Sequence, residues 1–98
     1  MERLDREKIE NLIQEIRGQK VIIDSDVAAI YRVETKRINE AVKNNPEKFP
    51  PGYLIELNDT ELEILRTKIS TAKLSKTRTL PKAFTEKGLY ILATIYPV

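Results

Sequence analysis

The chain contains no cysteine and no histidine in its 98 residues. Without cysteine there is no disulfide and no thiol nucleophile. Without histidine there is no imidazole base, and the usual zinc ligand sets fail with both. These absences remove most compact enzyme chemistries. Aromatic residues are scarce, at 6%, so a chain of this length must build a thin, mainly aliphatic core. No apolar run approaches the roughly 18 residues of a membrane-spanning helix. Nor does the chain open on the charged-then-apolar pattern of a signal peptide. The expectation is a cytoplasmic protein with no membrane segment.

Charge is plentiful, at 33% of residues, although the formal net charge is only +2. Its distribution is uneven. Residues 1–63 carry fourteen acids against ten bases, whereas residues 64–98 carry seven bases against one acid, Glu86. From Ile64 to Thr85 there is no acid at all. Such asymmetry suggests an anionic partner, although a solvated loop has the same composition.

Periodicity gives an outline of the elements. Ile9, Leu12, Ile13 and Ile16 recur at helical spacing and Gly18 follows, which predicts a first helix from about Asp5 to Arg17. Lys20-Val21-Ile22-Ile23 is β-branched and reads as a strand. Asp24 is expected to cap a helix whose buried stripe is Val27, Ile30 and Tyr31, ending near Arg32. Thr35 is expected to cap the next helix, with Ile38, Ala41 and Val42 inward and a stop before Pro46. A turn-rich connector, NPEKFPPG, leads to a strand over Tyr53–Leu57. Asn58 and Glu61 have the spacing of a capping box before a helix reaching about Ile69, with Leu62 and Leu65 inward. The segment TAKLSKTRT is a basic, hydroxyl-rich loop. Thr79 to Phe84 reads as an edge strand interrupted by Pro81. Thr85 then opens a last helix that is apolar nearly all round. In LPKAFTEKG, Phe84 is expected to fill core, Thr85 to cap, and Gly88 to let helix and strand approach.

Two short helices joined by a tight turn match a helix-turn-helix, whose second helix enters the major groove of DNA. The helical wheel of residues 35–43 agrees with that role. With Ile38, Ala41 and Val42 inward, Lys36, Glu40 and Lys43 point outward, and Arg37, Asn39 and Asn44 lie on the flanks. Thr35 sits at the positive N-terminal end. Arg37, Asn39, Glu40 and Lys43 are the candidates for reading base edges, by the donor and acceptor pairings of such side chains. Thr35, Lys36 and Asn44 are candidates for phosphate, joined by Lys73, Lys76, Arg78 and Lys82 in and beside the basic loop. A solvated face with Lys36–Glu40 and Glu40–Lys43 ion pairs would have the same pattern.

The run IRGQKVIIDSDVAAIYRVETKRINEAVKNNPEKFP, with YLIEL, TELEILRTKI and LPKAFTEKG after it, resembles the phage "ORF-six N-terminal" domain. That family is related to the KilA-N and Bro-N domains of phages and large DNA viruses. The resemblance covers roughly Ile13 to Ile95. It implies a DNA-binding module, commonly the amino-terminal part of phage or prophage regulators and antirepressor-like proteins. The family's Thr-Lys-Arg-x-Asn motif falls on Thr35, Lys36, Arg37 and Asn39. Its usual Tyr-Gly-Val turn is Tyr31-Arg32-Val33 here, which puts an arginine where glycine suits a positive φ.

The combined expectation is an α/β (α+β) fold. It is a small winged helix-turn-helix-like domain with short strands and about five helices, a single unit over residues 1–98. Double-stranded DNA is the expected partner, no cofactor is required, and no catalysis is expected. Two other classes remain beside it. A Mg²⁺-dependent nuclease would use Asp24 with Glu34 and Lys36, but that pattern needs a strand where the chain has a helix start. A protein-interaction module would pair the apolar last helix with a second copy, as a homodimer, or with a further C-terminal region. The abrupt ending at Ile95-Tyr96-Pro97-Val98 fits the N-terminal part of a longer protein.

Overall fold

The computed structural model describes residues 9–68 and 81–96. Strands β1 (Ile13–Ile16), β2 (Gln19–Ile23), β3 (Leu54–Glu56) and β4 (Lys82–Thr85) form one antiparallel sheet in the order β1-β2-β4-β3. The helices are α1 (Asp24–Tyr31), α2 (Thr35–Lys43), α3 (Asp59–Lys68) and α4 (Glu86–Ile95), with a 3₁₀ turn at Pro46–Lys48. The fold is therefore of the expected mixed α/β class, with four α-helices among the described residues rather than about five.

Of the helix expected from Asp5 to Arg17, residues 5–8 lie outside the described residues and the second half is not helical. Of that span, Ile9 and Glu10 are helical, Asn11 and Leu12 turn, and Ile13 begins β1. The cause is the turn chemistry. Arg17 and Gly18 both take positive φ, 54° and 74°, between the paired residues Ile16 and Gln19. Two such residues in succession close a tight hairpin whose twist matches the flanking strands. Residues three apart then fall on opposite faces, so Ile16 is buried while Ile13 is exposed.

The strand expected at Thr79–Phe84 also moves. It runs from Lys82 to Thr85 and lies inside the sheet between β2 and β3, not at an edge. Pro81 stands just before its first residue, where the missing N–H is not needed, and its carbonyl accepts from the Leu57 N–H at 3.2 Å.

Alternation along the strands divides the core in two. Val21, Ile23, Ile55 and Ala83 face α3 and pack with its Leu62 and Leu65. Ile22 and Phe84 face the other way, into Val27 and Ala28 of α1, Ile38 and Val42 of α2, and Leu92 of α4. The register places Ile22, Phe84 and Leu54 side by side across three strands. Phe84 is fully buried and meets Phe49 edge-on at 6.4 Å. The apolar character of α4 is largely explained by this layer, because Leu92 is buried in it and Leu89, Ile95 and Tyr96 pack against it. Among the described residues no helix is long and apolar enough to cross a membrane.

Helix ends follow local chemistry. Asn58 and Glu61 form the expected capping box: the Glu61 N–H donates to Asn58 Oδ1 at 2.8 Å, and the Asn58 N–H donates to Glu61 Oε1 at 3.0 Å. Glu61 also holds the Arg17 guanidinium through both carboxylate oxygens, at 2.8 and 2.9 Å. The hairpin turn is thereby clasped to the start of α3. Thr85 caps α4, accepting from the Gly88 N–H at 3.3 Å while its hydroxyl reaches the Gly52 and Tyr53 carbonyls. Gly88 is required here, because a Cβ would collide with the Tyr53 carbonyl. The expected caps Asp24 and Thr35 are instead the first helical residues, with Ile23 and Glu34 in the cap positions and no side-chain cap bond.

Candidate nucleic-acid interface

Helices α1 and α2 are joined by three residues, Arg32 to Glu34. Arg32 takes the left-handed conformation at φ 60° and ψ 42°. Its N–H donates to the Ala29 carbonyl at 3.2 Å, and the Val33 N–H donates to the Ala28 carbonyl at 3.0 Å. These are the two bonds of a Schellman ending, normally built on glycine. Arginine thus adopts the geometry glycine would have, and the turn is made.

The turn delivers α2 with its apolar face inward. Ile38 is 0% exposed and Val42 is buried beside it, with Ala41 partly covered. The helix rests on α1 and touches α4. As the wheel required, Lys36, Arg37, Glu40, Lys43 and Asn44 are exposed, while Thr35 is half-buried in the first turn. Among the described residues neither the Lys36–Glu40 nor the Glu40–Lys43 ion pair forms. The cations on the outer face are therefore not neutralised from within the helix.

A groove runs along α2. It is lined by Lys36, Asn39, Glu40 and Lys43 of α2 together with Phe49, Leu54, Glu56 and Lys82. Lys82 is thus brought beside α2. Lys73, Lys76 and Arg78 lie outside the described residues.

Asn39 has a different setting from the other candidates. Its Nδ2 donates to Asp24 Oδ2 at 3.2 Å, and its Oδ1 is buried without a hydrogen-bond partner among the described residues. In this conformation the amide is turned into the protein and is not offered to a base edge. The same Asp24 oxygen accepts the main-chain N–H of Lys82 at 3.3 Å. Asp24 is only 6% exposed. A carboxylate at the first position of a helix is favoured by the helix dipole, and here it also meets two N–H donors. Sequence reasoning gave Asp24 a capping role and missed this link. The hint available was the place of Asn39 on the flank of the helix rather than on its outer face, from which a hydrogen bond within the protein is open to it.

The Asp24 carboxylate is taken up by Asn39 and Lys82, and Glu34 lies on the exposed turn. Among the described residues no group of three or more acids converges on a metal-sized site.

A family model, the ORF6N domain, matches residues 11–95. The chain belongs to the ORF6N domain family. Searches of curated proteins and of solved structures return no match. The match spans all four strands and all four helices described above.

Proposed function

We propose that this ORF6N domain binds duplex DNA sequence-specifically, as the DNA-contacting module of a phage- or prophage-type transcription regulator or antirepressor. The observation that carries the reading is the outer face of α2. Lys36, Arg37 and Lys43 are exposed and carry no ion pair to Glu40, on a helix held by Ile38 and Val42. In the proposed complex α2 enters the major groove. Arg37 and Lys43 are placed to donate to guanine, and Glu40 to accept from cytosine. Lys36, Thr35 and Asn44 contact phosphates, as do Lys82 of the same groove and Lys73, Lys76 and Arg78 of the basic segment.

Selection of bound sites from a random duplex pool tests this directly. A preferred site should emerge, and Arg37→Ala should weaken binding to it by about 1–3 kcal/mol while hardly changing binding to a scrambled duplex. Lys36→Ala should weaken both by similar factors. Equal losses for both variants on both duplexes would remove Arg37 from base reading.

A homodimer through α4 is the second reading, and one observation favours it. Tyr90 is 73% exposed on a helix whose other large apolar side chains are at least partly covered. Sedimentation of the wild type and of Tyr90→Ser decides it, with a concentration-dependent dimer expected only in the former.

A further inference from the structure

We infer that Asp24 is a positioning residue that sets the base preference of α2 without touching DNA. The inference rests on the DNA-binding reading above and adds how that site is held. Asp24 lies in α1, Asn39 in α2 and Lys82 in β4, and one carboxylate oxygen joins all three, accepting at 3.2 Å and 3.3 Å. Ile38 and Val42 fix the depth of α2, but apolar contacts are non-directional and tolerate small rotations about the helix axis. A hydrogen bond from Asn39, on the flank between the buried and the outer faces, does not. It sets the angle at which Arg37, Glu40 and Lys43 leave the surface.

The bond to the Lys82 N–H fixes that angle relative to the sheet, whose Lys82 lines the same groove as α2. The buried, unpartnered Asn39 Oδ1 is consistent with this assignment. An apolar side chain would avoid the desolvation penalty of that atom, so the amide is better explained by the direction it imposes than by stability.

The test uses the full chain and two duplexes, one selected by the wild type and one scrambled, titrated at a single salt concentration. Asp24→Ala, Asn39→Ala and the double variant are each expected to lose about tenfold of the preference for the selected duplex. The double variant should lose no more than either single one, and affinity for the scrambled duplex should stay within about twofold. Asp24→Asn, whose carbonyl oxygen can accept from both donors, should keep the preference. Substituting the selected duplex base by base then separates positioning from contact. Asn39→Ala should flatten the preference at several base pairs together. Flattening at a single base pair would mean that Asn39 reads that base itself, and overturns the inference. So does a folded Asp24→Ala protein that keeps its full preference. Where Asp24→Ala fails to fold, the base-by-base profile of Asn39→Ala decides alone. A wild type with no preference between duplexes overturns the DNA reading together with this inference. That outcome differs visibly from a wild type that discriminates and variants that do so equally well.

Discussion

Arg32 occupies the left-handed region at φ 60°, where an L side chain is strained by about 1–2 kcal/mol. Replacement by glycine relieves that strain but adds freedom to the unfolded chain and gives up what the arginine side chain contributes, so the net gain should be smaller. Arg32→Gly is expected to stabilise the domain by roughly 0.5–1 kcal/mol, visible as a rise of about 3–6 °C in the thermal midpoint. A fall in the midpoint would mean that the arginine side chain contributes more than its backbone loses. Glu61 is the residue whose charge the fold uses most visibly. The Arg17 guanidinium, and then the Asn58 N–H, hold its carboxyl below the usual carboxylate range. A depressed folded pKa contributes stability that is present above the unfolded value of about 4.3 and is lost as pH falls through the folded value. The difference in thermal midpoint between the wild type and Glu61→Gln should therefore be largest near neutrality and shrink as pH is lowered below about 4. A difference that does not vary with pH would show that the clasp works through shape rather than charge.

At the level of the element, α2 is held by a very small buried face. Ile38→Ala is expected to lower stability by about 2–5 kcal/mol, a large fraction of what a domain of this size has. An unchanged denaturation midpoint would mean that the helix is rotated and Ile38 exposed. Gly88→Ala should also destabilise, by about 1–3 kcal/mol, because the added methyl would collide with the Tyr53 carbonyl. How far each element was legible depends on which forces define it. The inward and outward faces of α2 follow from the spacing of Ile38, Ala41 and Val42, so the exposed cations could be named from the sequence. The capping box at Asn58 and Glu61 and the Thr85–Gly88 junction were legible too, because their chemistry lies within three residues. The first segment was not. Ile9, Leu12, Ile13 and Ile16 satisfy helical spacing, and only the left-handed pair Arg17-Gly18 makes the hairpin. The interior place of β4 depends on pairing with β2 and β3, which no local pattern carries. The Asp24–Asn39 bond joins residues fifteen positions apart, which meet only once α1 and α2 have packed.

For the whole molecule, the sheet is the support. One face is covered by α3, and the other carries the α1–α2 pair and α4, with the outer side of α2 exposed among the described residues. The uneven charge along the chain is brought together by this arrangement: Lys82, from the basic C-terminal part, shares a groove with Lys36 and Lys43. If the domain binds DNA as proposed, these cations displace counterions from the phosphate backbone. The most direct test is the affinity of the wild-type chain for duplex DNA as a function of salt concentration. With about four to six phosphates neutralised, log K plotted against log salt should fall with a slope between about −3.5 and −5.5. A slope indistinguishable from zero, or no complex even at low salt, would contradict the account.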